Sequence, residues 1–205
     1  MKREGKVFID ANVIIHAETF QRADVFQWIN NLYEEIYIHI EVLKELQVAS
    51  VKKKVEHFID SGQWMLFDPQ EETYVPTEEL YDLYLIYLRN IREAFAQLDV
   101  KKEHQGRPLK NTNDLGEIHS LAAAMLLSAG IICSNDFDIR EVIEDAAIYI
   151  TQDDEDTESV FMQQDTLEDF CYFVINYGVA EKSTVRKFFK AIQPQHILRL
   201  DRRLT

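Results

Sequence analysis

The sequence predicts an α/β fold: a three-layer α/β/α arrangement around a mostly parallel central sheet of about five strands, followed by a C-terminal helical extension. Short runs of branched apolar residues alternate with longer stretches of helical periodicity, a pattern typical of βαβ units. Apolar residues make up 46% of the 205 positions, as expected for a globular core. With 6 Gly and 4 Pro, most of the chain is expected to be regular structure.

Five apolar runs predict the strands. Each run is short and rich in branched residues, and each is separated from the next by a helical pattern. They lie at residues 6–9, 36–40, 63–67, 131–134 and 147–150.

Helical periodicity accounts for most of the remaining chain. Residues 23–35 place Val25, Phe26 and Ile29 on one face, and Thr77 marks the start of a long aromatic helix. Gly130 is expected to be the C-cap of the helix before it. The predicted helices span residues 13–20, 23–35, 41–61 as two helices, 77–98, 114–129, 138–145, 159–177 and 183–192.

The domain organisation follows from these elements. Residues 1–150 form the α/β domain, with a helical insertion at about 70–113, and residues 151–205 form an acidic loop and a C-terminal helical extension. The basic segment 100–113 predicts a mobile loop, with a lid or substrate-contact loop as the alternative. The last two helices are expected to pack on the sheet or on a protein partner rather than to read DNA.

Composition bounds the function and the compartment. The chain has 36 acidic and 22 basic residues, a formal charge of −14, which argues against a broad basic surface for nucleic acid. A bound metal ion that neutralises the negative charge near the site would still allow nuclease activity. No signal peptide or membrane-spanning segment is expected, and Cys133 and Cys171 are interpreted as buried reduced thiols of a cytoplasmic protein. The six histidines lack the spacing of a zinc site.

Acidic residues follow three of the predicted strands. Asp10 ends the first strand and Asp136 follows the fourth. Both therefore lie at the edge where an open parallel sheet binds ligands in its crevice. Asp10 or Asn12 could instead cap the next helix. Glu41 and Glu45 share one helix face after the second strand; the helix dipole alone explains Glu41, whereas Glu45 lies between apolar residues and has more need of a partner.

Two further groups of polar residues belong to the same pattern. Asp114 and Glu117 are spaced as a capping box, and Glu117 could also face the crevice as a metal ligand. Ser134 is placed to orient a neighbouring carboxylate, and either Asp136 or Asp138 begins the next helix.

Several carboxylates in one crevice require a cation. Two of them about 4 Å apart repel by roughly 4 kcal/mol at an effective dielectric constant of about 20. Oxygen ligands favour Mg²⁺ or Mn²⁺, and such an ion suits attack of water on a phosphodiester. Neither a Ser/His/Asp nor a Cys/His arrangement stands out, and without a phosphate-binding glycine-rich loop a kinase or NTPase is not expected.

Residues 6–150 resemble the PIN-domain family of metal-dependent ribonucleases, which includes toxins of bacterial toxin–antitoxin pairs. The resemblance rests on four motifs in order: Phe8-Ile9-Asp10-Ala11-Asn12-Val13, Val42-Leu43-Lys44-Glu45-Leu46, Asp114-Leu115-Gly116-Glu117 and Ser134-Asn135-Asp136. It implies an RNA substrate and favours Glu45 over Glu41. The implied ligands of Mg²⁺ or Mn²⁺ are Asp10, Glu45, Glu117 and Asp136, with Asn12, Asp114, Ser134 and Asp138 in support.

Three functions compete at this point. The first is an endoribonuclease, in the toxin case with an antitoxin-like protein partner, and a homodimer is compatible with it. The second is a non-catalytic PIN-fold scaffold or regulator that binds a protein through its C-terminal helices. The third is a phosphatase of the haloacid-dehalogenase type, whose Asp-x-Asp motif is incomplete in Asp10-Ala11-Asn12.

Overall fold

The computed structural model describes residues 2–110, 115–151 and 159–205, and it confirms the α/β class. The strands are β1 (Arg3–Ile9), β2 (Tyr33–His39), β3 (Met65–Phe67), β4 (Ile131–Cys133), β5 (Tyr149–Ile150), β6 (Val160–Phe161) and β7 (Gln163–Asp165). Five of them form an all-parallel sheet in the order β3-β2-β1-β4-β7, and β5 and β6 form a separate antiparallel pair.

Helices flank the sheet and continue beyond it. Their bounds are α1 (Ala11–Thr19), α2 (Val25–Leu32), α3 (Ile40–Glu45), α4 (Ala49–Asp60), α5 (Glu78–His104), α6 (Leu115–Leu126), α7 (Phe137–Asp145), α8 (Leu167–Asn176), α9 (Lys182–Ile192), the 3₁₀ helix Pro194–His196 and α10 (Ile197–Arg203). Among the helices described, none is both long enough and apolar enough to cross a membrane.

The central strand β1 is buried on both faces. Val7 and Ile9 pack into one core with residues of α1, α2, α8 and α9, while Phe8 packs into a second core with residues of α5, α6 and α7. A parallel sheet covered on both sides needs such continuous apolar strands. In register, Ile9 pairs with Cys133, so the residues that follow β1 and β4 emerge side by side at the carboxyl edge of the sheet.

The edge strand of the sheet differs from the prediction. The run at 147–150 was expected to join the sheet, but β5 pairs antiparallel with β6, and the edge position belongs to β7, within the predicted helix 159–177. The strand β7 is polar: Gln164 and Asp165 are buried and bonded, Gln164 to the Ser134 carbonyl and Asp165 to Arg3 and Tyr33. Hydrophobic periodicity therefore did not reveal it.

Three boundaries were also wrong. The helix predicted over 23–35 ends at Leu32, and the next residues begin β2. Gly130 is not the C-cap of α6, because Ser128 has the positive φ, 54°. The predicted loop 100–113 begins as helix instead, since α5 runs to His104 and its last turns hold the buried Lys102 in an ion pair with Asp138; residues 111–113 lie outside the described part.

The chain after residue 150 packs into the same body as the chain before it. It contributes β7 to the main sheet, and α8 and α9 bury Phe170 and Phe188 in the core that contains Val7 and Ile9. The acidic run at 153–156 lies outside the described residues.

Candidate functional site

Asp10 lies at the centre of the carboxyl edge and is almost fully buried, with 3% of its surface exposed. Its backbone N–H donates to the Cys133 carbonyl at 3.0 Å, which ties it to the end of β4. Its Oδ1 accepts the Ala11 N–H at 2.7 Å, so it does cap α1. Its Oδ2 accepts the Ser134 hydroxyl at 2.7 Å and the Asn12 side-chain amide. Capping thus occupies one oxygen, and side chains orient the other.

Asn12 and Ser134 hold Asp10 from both sides. The Asn12 amide also donates to Ser134 Oγ at 3.2 Å, and Asn12 Oδ1 accepts the Asn135 N–H at 3.2 Å. Ser134 Oγ in turn accepts the Asp136 N–H at 3.1 Å. The structure therefore places two of the four predicted supporting residues, Asn12 and Ser134, in contact with Asp10. Such contacts fix the orientation of a ligating carboxylate.

Glu45, the last residue of α3, reaches the first turn of α6. Its Oε1 accepts the Gly116 N–H at 2.9 Å, at a helix end whose partial positive charge favours an anion. A Cβ on Gly116 would lie 2.8 Å from Oε1 and 3.0 Å from Oε2 of Glu45. A glycine is therefore needed for this approach. Sequence reasoning missed that role, although a glycine in the first turn of a helix was a visible signal.

Two of the other predicted acids act electrostatically on Asp10. Burial, together with the negative charges of Glu117 and then Glu45, raises the pKa of Asp10 to about 7, although the Ser134 and Ala11 hydrogen bonds oppose this. Glu45 of α3 and Glu117 of α6 are therefore close enough to the end of β1 to act electrostatically on Asp10. Among the described residues, however, no group of three or more His, Cys, Asp or Glu side chains is placed so that it could hold a metal ion.

Asp136 is placed differently from those three. It caps α7 by accepting the Asp138 N–H at 2.9 Å, and its carboxylate forms an ion pair with Lys110. Asp138 pairs with Lys102 and, at 3.1 Å, with Lys110; burial alone would raise its pKa, but these two lysines lower it. The contacts of the Asp136 and Asp138 carboxylates are thus with α7 and with lysines, and Asp136 is linked to Asp10 through Ser134. Asp114, the remaining supporting residue, lies outside the described part of the chain.

Glu41 points to a different environment from Glu45. Its carboxylate pairs with Lys44 at 2.7 Å on an exposed face, and its backbone N–H donates to His39 Nδ1. Contacts within the first turn of α3 therefore account for the position of Glu41.

A buried hydrogen-bonded chain next to the crevice was not predicted. His39, at the end of β2, lies 3.1 Å from the Tyr84 hydroxyl, which lies 2.8 Å from His119 Nδ1. Burial, and then the charges of His119 and Lys44, lower the pKa of His39 to about 3, so this imidazole is neutral near pH 7. The three side chains come from β2, α5 and α6, so no local motif could reveal the chain; the only signal was a histidine ending a strand.

No protein-family model, curated protein or solved structure matches this chain. The likeness to the PIN-domain family therefore stays a resemblance of motifs. The functional argument rests on the residues at the carboxyl edge of the sheet.

Proposed function

We propose that the protein is a divalent-metal-dependent endoribonuclease that hydrolyses RNA phosphodiesters at the crevice around Asp10. The observation that carries the proposal is the buried, side-chain-oriented carboxylate of Asp10, on which the negative charges of Glu45 and Glu117 from two other elements act. Grouping negative charge at a buried position costs free energy, and a bound cation offsets that cost.

The donor set fits Mg²⁺ or Mn²⁺. All the candidate ligands are oxygens, which these ions prefer. Mg²⁺ keeps several waters and commonly uses only one or two carboxylates, so three protein ligands are not required. Asp10 would hold the ion together with Glu45 or Glu117, and Asp136, which is paired with Lys110, is the remaining predicted ligand.

The protein's own contribution is orientation and charge. When bound, the cation supplies Lewis acidity toward the phosphoryl oxygens and makes water a better nucleophile. Ser134 and Asn12 keep Asp10 Oδ2 in one position, and the Gly116 N–H keeps the Glu45 carboxylate turned toward α6. A rigid donor set of this kind costs little reorganisation when charge develops on the phosphate.

The partners belong to the same proposal. RNA is the substrate, and an antitoxin-like protein is the regulatory partner in the toxin case. The described residues include two free buried thiols, Cys133 and Cys171, which fit the proposed cytoplasmic location.

The test compares metal-dependent cleavage of end-labelled single-stranded RNA by the wild type and by Asp10→Asn, with Mn²⁺, with Mg²⁺ and with EDTA. The wild type should cleave only with metal, and Asp10→Asn should be slower by roughly 10³-fold, because several kcal/mol of transition-state stabilisation depend on the ion. Glu45→Gln should also lose activity. Glu41→Gln is the matched control on the same helix and should retain it.

Equal cleavage by the wild type and Asp10→Asn would point to a contaminating nuclease and end the proposal. Loss of activity in Glu41→Gln but not in Glu45→Gln would reverse the choice between the two glutamates. No cleavage, no saturable Mn²⁺ binding by calorimetry and a protein that co-purifies in fixed ratio would together favour the scaffold function.

A further inference from the structure

The C-terminal segment carries a charge opposite to that of the chain. Residues 182–205 contain seven Lys or Arg residues and a single Asp, a formal charge of +6 in a chain of −14. These residues form α9, the 3₁₀ helix and α10, and both α9 and α10 pack on α8. The C-terminal segment is therefore basic in a chain that is acidic overall.

Part of this basic region forms a recess beside the crevice. The recess has a volume of about 100 Å³, and its lining includes Asn135, Phe137, Arg140, His196, Arg199 and Arg203. We call it the arginine recess.

Asn135 connects the arginine recess to Asp10. Its Oδ1 accepts the Gln193 side-chain amide at 3.0 Å, which holds the start of the 3₁₀ helix against the loop after β4. Its backbone N–H donates to Asn12, which contacts Asp10. Two successive hydrogen bonds therefore connect Asp10 to a residue that lines the recess.

The cations of the recess differ in availability. Arg140 and Arg203 both contact Asp169, at 3.2 Å and 2.7 Å, and Arg203 also lies 3.5 Å from Glu168. Both carboxylates line the recess and partly neutralise these two arginines. Arg199 and His196 make no side-chain hydrogen bond or ion pair with any residue the structure describes, and both line the recess. The Arg199 guanidinium is a fork of donors that matches phosphate geometry, and the His196 ring adds a further donor.

An aromatic ring completes the recess. Phe137, the first residue of α7, is 52% exposed although it is a large apolar side chain. Exposed aromatic rings beside arginines serve as stacking surfaces for the bases of single-stranded nucleic acid.

We infer that the arginine recess binds a nucleotide of single-stranded RNA that flanks the bond cleaved at Asp10, with its phosphate on Arg199 and His196 and its base on Phe137. This inference rests on the proposed function and deepens it. The aromatic surface lies beside the crevice where we propose that phosphodiesters are cleaved, which favours RNA as the occupant. An acidic protein segment would need only the positive charge of the recess. It also gives a polyanion a route to Asp10 across a protein that is acidic overall.

Fluorescence anisotropy of a labelled oligouridylate in EDTA, with the full-length protein, tests the inference. Arg199→Ala should weaken binding by roughly tenfold and reduce the salt dependence of log Kd by about one phosphate contact, a slope change of about 0.7. Phe137→Ala should weaken binding about tenfold with an unchanged salt slope. Arg202→Ala removes the same charge from the same helix outside the recess lining and should change neither. Circular dichroism of each variant checks that the fold is retained.

The outcomes separate this inference from the proposed function. If Arg199→Ala binds RNA as Arg202→Ala does while the wild type cleaves RNA, the recess is not a nucleotide site and the nuclease proposal survives. If Arg199→Ala and Phe137→Ala lose RNA binding but the wild type does not cleave, the recess is supported and hydrolysis is not. If the wild type does not bind RNA and Arg199→Ala releases a co-purifying acidic protein, the recess is a protein-docking site and the inference is wrong.

Discussion

Replacing Gly116 by Ala should separate the stability of the fold from the function of the crevice. The added methyl carbon would lie 2.8 Å from Oε1 and 3.0 Å from Oε2 of Glu45, closer than atoms of this kind approach in proteins. The atoms in the way are the far end of a flexible side chain, so Glu45 can swing aside without moving the backbone. The carboxylate would then leave its 2.9 Å hydrogen bond to the backbone N–H of residue 116.

Three contributions to the free energy of unfolding oppose one another. Alanine in place of glycine in a helix stabilises by roughly 0.5–1 kcal/mol. Losing a hydrogen bond to a charged acceptor costs roughly 1.5–3 kcal/mol, less what solvation of the released carboxylate returns. Moving Glu45 away from Asp10 also removes one of the negative charges that raise the pKa of Asp10. Because the lost hydrogen bond is the largest contribution, we expect a small net destabilisation, on the order of 1 kcal/mol.

The effect on the proposed metal site should be larger. Loss of a contact that orients a ligand lowers metal affinity by about 10- to 100-fold, or roughly 1.4–2.8 kcal/mol. Calorimetric titration with Mn²⁺ measures the affinity, cleavage of labelled RNA measures the activity, and thermal unfolding in EDTA measures the stability.

Gly130→Ala is the matched control. Its Cβ would meet Ile150 at 3.4 Å, an ordinary contact, and its φ lies outside the left-handed region. It should leave Mn²⁺ affinity and cleavage unchanged. If Gly116→Ala binds Mn²⁺ and cleaves RNA as well as Gly130→Ala does, then the position of Glu45 against α6 is irrelevant to function and the reasoning fails.

Two further predictions concern stability. The unfolded chain takes up a proton at His39 below about pH 6.5, whereas the folded protein does so only near pH 3. As the pH falls through this range, the free energy of unfolding of the wild type should therefore decrease, relative to that of His39→Gln, by up to about 1.4 kcal/mol per pH unit. Urea unfolding at stepped pH measures this, and parallel profiles for the two proteins would refute it. Lys102→Met should lower the free energy of unfolding by about 3 kcal/mol, because it removes a partner of the buried Asp138. Lys101→Met, which removes an exposed ion pair with Asp145, should lower it by less than about 1 kcal/mol. Equal midpoints for these two lysine variants would show that the Lys102–Asp138 pair contributes nothing.

Local patterns revealed the frame of the fold. The apolar run before Asp10 and the run before Ser134 predicted neighbouring parallel strands, and the structure aligns Ile9 with Cys133. The break between α3 and α4 near Ala49 and the start of α5 after Thr77 were also readable, because capping and periodicity act within a few residues. The edge strand β7 was not readable, because hydrogen bonds from distant residues stabilise its buried Gln164 and Asp165 in place of apolar contacts.

The sequence by itself determined that acids follow the strands and lie at one edge of the sheet, since the carboxyl ends of parallel strands meet there. Only the tertiary structure decided what each of these acids contacts. Glu45 turns toward α6 because Gly116, 71 positions away, leaves room for it, while Asp136 turns to Lys110. These choices depend on shape and charge complementarity between elements far apart in the chain, and no pattern of neighbouring residues contains that information.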